Sequence, residues 1–383
     1  MKWKLLFLLG AIIFSFSPVQ ADPFEPQGFP SLLASIKLET VPEFCGEVVP
    51  IGDQEVKERL EKELLLSLWN RPQVILWLKR SKRYLPPMEE LLRKEGMPDD
   101  LKYVAIAESA LRPHAHSRKG AVGFWQFMKY TGQKYGLIID DRIDERRNIF
   151  ASTSAAIRYF GDLHEIFGSW TMAAAAYNMG EEGLMAEILE QGNNEYYNLH
   201  LPLETQRYIL RIIAIKLILS DPARYGFYLT EEDYYPPFDF DRVRIECMDE
   251  TPIRIVAQAA GTTFKDIKDL NPEIRGHYLP EGDYTLLIPK GGPEDFQARY
   301  RSLLREWSSN QQERIYFVKE GDNLTAIAER FGVPLASLLI WNRLNPRATI
   351  HPGDKLIIYP QKPVYVDIDD ENNENNGSTL SNN

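Results

Sequence analysis

The chain has 383 residues, room for two or three domains, and its 44% hydrophobic and 26% charged residues are ordinary globular material. Its formal net charge of −11 excludes nucleic acid as an electrostatic partner and excludes a basic hold on anionic lipid. Met1 to Ala21 reads as a secretory signal peptide, with Lys2 and Lys4 at the charged end, an apolar run from Leu5 to Phe16 and a cleavage-like Val19-Gln20-Ala21. That run is short for a bilayer span, and no cysteine follows it directly, so neither an integral span in the mature chain nor a lipoprotein pattern is expected. Cys45 and Cys247 are the only cysteines. Export permits a disulfide between them, but their spacing leaves the pairing open and does not suggest a metal site.

Residues 22–52 are proline-rich and aperiodic and are expected to form an extended lead-in on the surface. Residues 53–96 read as three scaffold helices. The first, Asp53 to Trp69, carries Val56, Leu60, Leu64 and Leu68 at fourfold spacing. Pro72 to Leu85 and Met88 to Glu95 follow, the last stopped by Gly96.

The next helix is expected to start at an Asp99 or Asp100 cap and to end at Arg112, before Pro113. Leu101, Val104, Ala105, Glu108 and Leu111 share one face of it. Glu108 thus falls inside an apolar stripe, where lost hydration raises a carboxyl pKa towards that of a general acid. Spacing alone also allows Glu108 to meet solvent at the stripe's edge. Gly120 and Gly123 then flank a tight segment, followed by Phe124-Trp125-Gln126-Phe127-Met128. The flat faces of Trp125 and Phe127 beside the Gln126 amide suit an acetamido sugar, although such a cluster is more often core. Helices are expected from Thr131, over Ile149 to Phe167, over the small-residue stretch Trp170 to Asn178, and over Thr205 to Leu219. No strand pattern of consequence precedes Tyr228.

Four motifs in this block carry a resemblance. They are E-S-A at 108–110, G-A-V-G-F-W-Q-F-M at 120–128, A-A-Y-N-M-G at 175–180 and L-P-L-E-T-Q-R-Y-I at 201–209. In this order they closely resemble the catalytic domain of the soluble-type lytic murein transglycosylases, which have a goose-lysozyme-like fold. The resemblance implies a transglycosylase domain over 97–230 and an enzyme acting on the glycan strands of peptidoglycan. It implies a one-carboxylate mechanism with Glu108 as acid and then base, and a 1,6-anhydro product. By motif match, Ser117, Gln126, Met128, Tyr177, Asn178, Glu204 and Tyr208 are the substrate-binding candidates. A packing role is open for each of these. Glycoside hydrolases commonly use two carboxylates, and Asp144, Asp162, Glu165 and Glu204 are the candidates for a second. His114 and His116 read as surface loop. A hydrolytic muramidase or chitinase, and a non-catalytic peptidoglycan-binding protein, are the alternatives.

Tyr234-Tyr235-Pro236-Pro237 marks a boundary, after which the chain repeats. At an offset of 71 residues Ile253 meets Leu324, Val256 meets Ile327, Gly261 meets Gly332, Asn271 meets Asn342 and Pro289 meets Pro360. Each copy reads strand, helix, helix, strand. The second copy, over 314–360, resembles the LysM module, which implies a glycan groove flanked by Gly321, Asp322, Asn323, Thr325 and Ile350. Locally, turn and N-cap chemistry explains Asp322 and Asn323 equally well. The first copy, over 243–290, has Glu250 in place of the loop glycine and reads as divergent. Residues 291–312 form a polar, partly helical linker, and the acidic 361–383 reads as a disordered tail. The fold class is therefore α+β: a mainly α lysozyme-like domain followed by two βααβ modules. The expected location is the periplasm, bound to peptidoglycan. No cofactor or metal is expected, and association with the cell-wall synthesis machinery is left open.

Overall fold

The computed structural model describes residues 30–311 and 315–359. The expected signal peptide and acidic tail lie outside the described residues. The chain divides into two units. One is built from the chain up to Phe240 together with Lys268–His277, the other from Asp241–Ile267 together with the chain from Tyr278 onward.

The first unit is mainly helical. A single turn, α1 (Leu32–Ser35), precedes a short hairpin of β1 (Glu43–Phe44) and β2 (Glu47–Val48). This part of the lead-in does not lie loosely on the surface. Phe44 and Val49 are buried in the core, and the Glu47 carboxylate accepts the backbone N–H groups of Trp170 (2.5 Å) and Thr171 (2.9 Å). The helices that follow are α2 (Gln54–Trp69) and α3 (Arg71–Lys94). The two helices expected over 72–95 are one, with Pro86 and Pro87 inside it. A proline removes one ladder bond, but Val74, Trp77, Leu78, Leu85, Met88 and Leu92 form a buried stripe that continues across the break. Tertiary packing therefore overrides the local signal.

After these come α4 (Lys102–Ser109), α5 (Lys129–Lys134), α6 (Ile149–Phe167), α7 (Trp170–Met179), α8 (Glu181–Gln191) and α9 (Leu203–Ser220). The centre is α9, which packs on α2, α4 and α7, while α6 packs on α3 and α7. Close approach to α7 is possible because Ala173 to Ala176 are all small and fully buried. The Ser169 hydroxyl caps α7 by accepting from Met172 N, and the Asn148 side chain caps α6 by accepting from Phe150 N and Ala151 N.

The second unit contains β3 (Phe240–Cys247), β4 (Thr251–Pro252), α10 (Ile253–Ala260), α11 (Phe264–Leu270), β5 (Tyr278–Leu279), β6 (Gly282–Pro289), α12 (Phe296–Gln311), β7 (Ile315–Phe317), α13 (Leu324–Arg330), α14 (Leu335–Asn342) and β8 (Lys355–Ile357). Phe240 and the end of α11 fall on the first unit's side of the division. Pairs form between β3 and β6, β4 and β5, and β7 and β8. The starts of α10 and α13 are 71 residues apart, as are those of α11 and α14. In the second copy, Asn342 accepts from Ile357 N (2.6 Å) and donates to Ile357 O (2.8 Å), tying α14 to β8. Its counterpart Asn271 is fully buried. The expected linker is structured: α12 packs on α10, with Phe296, Tyr300 and Trp307 buried. Glu250, at the missing-glycine position, is paired with Arg343 of the second copy, whose guanidinium also lies 5.0 Å from the Tyr278 ring centroid. Cys45 and Cys247 are both free thiols. Among the described residues no single helix is long and apolar enough to cross a membrane.

Candidate active site

Glu108 stands on the last turn of α4, facing α9. The expected aspartate cap is not there. Asp99 pairs with Lys102, while Asp100 accepts from Cys45 N and Lys216 Nζ, both at 2.7 Å. The helix also ends earlier than Pro113 requires. Ala110 and Leu111 take left-handed φ values of 54° and 57°, which stop the helix after Ser109, one residue beyond Glu108. Both are non-glycine residues in a costly region. Burial of Leu111 and a hydrogen bond from Arg80 Nη1 to Ala110 O (3.1 Å) hold them there.

The residue Glu108 keeps some exposure, but protein encloses its carboxyl. Burial raises its pKa from 4.5 to about 7, against the lowering effects of the Tyr208 hydrogen bond and the Arg211 charge; Glu204 adds to the rise. The Tyr208 hydroxyl donates to Glu108 Oε1 at 2.5 Å. Tyr208 lies on α9 and is only 2% exposed. Burial and the adjoining carboxylate keep its phenol far above the ordinary range, so it remains a donor.

Tyr177 lies close to this pair. Its ring stacks on Phe160 at 4.6 Å, its hydroxyl donates to Trp125 O (2.6 Å), and burial followed by the Glu108 charge raises its pKa. The neighbouring Asn178 accepts from the Thr205 hydroxyl (2.9 Å), joining α7 to α9. Glu204 is exposed and paired with Arg211 Nη1 at 3.0 Å. Arg211 and Arg207 both reach Glu63, a nearly buried carboxylate on α2. The motif L-P-L-E-T-Q-R-Y thus supplies one hydrogen bond to Glu108 through Tyr208, beside an ion-pair network that ties α9 to α2.

The glycine-rich loop is made of interlocked turns. Ser117 Oγ accepts from Ala121 N (3.0 Å), and the Gln126 amide donates to Ala115 O (3.2 Å) and Gly123 O (2.9 Å). Ser117 and Gln126 therefore use polar atoms to shape the loop. Trp125 and Phe127 do not offer their faces to a ligand. Trp125 is fully buried, donating to Thr153 Oγ1 (3.0 Å), and Phe127 packs against Tyr159 and Tyr177. Met128, 44% exposed, is the open apolar residue of the motif.

Among the proposed second carboxylates, Asp144 is buried and forms a two-pronged pair with Arg146, Nε to Oδ1 at 2.8 Å and Nη2 to Oδ2 at 2.9 Å. Although burial acts to raise its pKa, Arg146 and Arg147 hold it below the usual range. Asp162 accepts from the Tyr135 hydroxyl, and Glu165 is exposed. Spacing did not reveal the Asp144–Arg146 pair, whose partners sit on a short turn without period. Arg146 Nη1 also donates to Gly120 O and Phe127 O, both at 3.1 Å, bridging the two ends of the loop. Gly123 (φ +86°) faces the Arg146 main chain, and a Cβ there would lie 1.8 Å from its carbonyl oxygen. Only glycine fits. His114 and His116 are exposed, with His114 Nδ1 against Arg147.

In the second repeat, Asp322 Oδ2 accepts from Lys319 N (2.8 Å) and the Tyr316 hydroxyl (2.6 Å), and Asn323 caps α13. Gly321 has φ +82°. Gly321 and Thr325 are exposed, and Ile350 packs on the module's small core.

The Transglycosylase SLT domain matches residues 87–200, and the LysM domain matches residues 316–358. The membrane-bound lytic murein transglycosylase D of Escherichia coli strain K12 is 30% identical over 331 residues, spanning 82% of this chain and 72% of its own. The peptidoglycan transglycosylase gp16 of Escherichia phage T7 is 36% identical over 115 residues, 26% of this chain and 9% of its own. Of solved structures, the 70 kDa soluble lytic transglycosylase from Escherichia coli has a TM-score of 0.33 at 16% identity, covering 46% of this chain and 32% of that one.

Proposed function

Because this chain belongs to the lytic murein transglycosylases, with a Transglycosylase SLT domain and a LysM domain, we propose that Glu108 alone carries the acid and base steps of peptidoglycan cleavage. The enzyme is a peptidoglycan lytic transglycosylase. The observation that supports the mechanism is the enclosed Glu108 carboxyl, poised at about 7 with one donor, Tyr208, on it. A carboxyl of that pKa is protonated often enough near neutrality to donate, and basic enough afterwards to accept.

In this reading the protonated Glu108 donates to the glycosidic oxygen that follows N-acetylmuramic acid, the bond from that oxygen to C1 breaks, and the following sugar leaves with the proton on its new hydroxyl. The substrate's acetamido oxygen supports the positive ring. The C6 hydroxyl then attacks C1, its proton passes to Glu108, and a 1,6-anhydro ring closes without water. Tyr208 stabilises the carboxylate between the steps, since a hydrogen bond to the charged form favours it. Of the motif residues, Met128 lines the cleft as its open apolar contact. Ser117, Gln126, Tyr177 and Asn178 act by holding the walls. Glu204 acts through its pairing with Arg211.

The second repeat, over 314–360, holds the enzyme on glycan through the loop around Gly321 and Thr325. The first, over 243–290, has Glu250 engaged with Arg343 and is read as a non-binding copy. Export to the periplasm and association there with the cell wall follow from the substrate. Mass spectrometry of the released muropeptides tests the chemistry: the proposal requires 1,6-anhydro-N-acetylmuramic acid ends and no label from heavy-oxygen water. Reducing ends carrying that label would move the enzyme to hydrolysis.

A further inference from the structure

The segment Lys268–His277 lies well beyond the matched transglycosylase region, yet it belongs to the first unit. Its contacts there are specific. Ile274 forms an antiparallel bridge with Ile143, and both side chains are buried. Glu273 O accepts from Asp144 N at 2.9 Å, and Arg275 N donates to Arg142 O at 2.8 Å. Glu273 is 7% exposed, and its side chain accepts a hydrogen bond from the side chain of Asn148, the cap of α6. Its Oε2 is buried without a hydrogen-bond partner.

The residue held by Glu273 O is Asp144, whose carboxylate grips Arg146. Arg146 in turn grips both ends of the glycine-rich loop, and its carbonyl is the wall that Gly123 abuts. A continuous set of hydrogen bonds therefore runs from residue 273 to the loop that carries Gln126 and Met128. We propose that Lys268–His277 is a positioning element of the active site, a helix end and turn that fix the Asp144–Arg146 clamp through the bridge at Ile274 and, through that clamp, the loop. The segment touches no substrate. It rests on the reading of this cleft as the transglycosylase site, and it gives part of the divergent first copy a role other than glycan binding.

The test uses the full chain and two variants with matched controls. Arg275→Pro removes the N–H that bonds to Arg142 O at an exposed position, and Arg275→Ala keeps it. Ile274→Ala strips the buried bridge residue, and Ile274→Val keeps its branch. Two quantities are measured: kcat/KM on soluble glycan-strand fragments, and backbone hydrogen exchange residue by residue. Both Arg275→Pro and Ile274→Ala are expected to lose about 10- to 100-fold in kcat/KM, the scale of a small misplacement distant from the chemistry. Exchange should quicken at Val122 and Gly123 while the amides of α6 and α7 keep wild-type rates. Both controls should match wild type. Wild-type kcat/KM and wild-type loop exchange in the two variants would overturn the proposal. Exchange quickened evenly across α6 and α7 would overturn it too, by showing mere destabilisation. Failure of the wild type to cleave glycan would instead reject the assigned chemistry, while the exchange arm would still decide the mechanical claim.

Discussion

Replacing Tyr208 by phenylalanine removes one oxygen and with it the 2.5 Å hydrogen bond to Glu108 Oε1. That bond favours the charged carboxylate, so its loss raises the Glu108 pKa. A hydrogen bond to a charged group contributes about 1.5–3 kcal/mol. At 1.36 kcal/mol per pH unit this corresponds to a rise of roughly one to two units. In the proposed mechanism Glu108 must be protonated for the first step, so the basic limb of kcat/KM is expected to follow its pKa in the free enzyme. From about 7 in the wild type, that limb should move to roughly pH 8–9 in Tyr208→Phe. The rate at the new optimum should fall, because the second step loses the donor that stabilises the carboxylate. The assay is the pH dependence of kcat/KM on soluble glycan-strand fragments, paired with a direct nuclear magnetic resonance titration of the Glu108 carboxyl. A limb that stays in place, or moves to lower pH, would refute the claim that Tyr208 tunes this group.

Glu108→Gln should abolish lysis, by at least about 10²–10⁴-fold, with an unchanged circular dichroism spectrum and retained binding to sacculi; residual turnover near the wild-type rate would remove Glu108 from its role. Gly123→Ala must place a methyl group 1.8 Å from the Arg146 carbonyl oxygen at a φ of +86°, so the melting temperature and activity should fall together, and a wild-type melting curve would contradict the close approach. Deleting Ile315 to Asn383 should weaken co-sedimentation with sacculi and spare cleavage of soluble fragments; equal sedimentation would count against the second repeat as the anchor. Burial raises the Glu273 pKa from 4.5 to about 7, so the folded state holds its proton more tightly than the unfolded one. The associated stability is present below about pH 4.5 and is lost as pH rises through about 7. Glu273→Gln should flatten that decline by up to ~3 kcal/mol, read from urea unfolding at several pH values. Parallel curves for variant and wild type would show that the carboxyl is not buried.

Much of the architecture could be read from spacing, because buried faces impose a period. The 71-residue offset lies in apolar positions such as Ile253 and Leu324, and these open α10 and α13. Glu108 stood out for the same reason, as a carboxylate inside an apolar stripe. What could not be read has no period. Ala110 and Leu111 adopt left-handed backbone that their side chains do not advertise, and Arg80 reaches them from another helix. The aromatic pair Trp125 and Phe127 looked equally suited to a sugar or a core, and only the positions of Thr153 and Tyr159 decide for the core. Asp144 shows the limit most clearly. As a residue type it was a fair second carboxylate, but the guanidinium two positions on claims both of its oxygens. In α3 the two prolines gave a true local signal that a longer buried stripe overruled.

The return of Lys268–His277 to the first unit also sets an order of events during synthesis. Chains emerge from their N-terminus, and their domains generally fold in that order. Glu108, Tyr208 and the glycine-rich loop are all made before the chain leaves this unit at Phe240, but the segment that backs Asp144 is made later. On the positioning role proposed above, the cleft is completed only by chain made after the four motifs. An enzyme that opens the wall is finished only once most of its first repeat exists, so nascent and prematurely ended chains carry an unbraced loop.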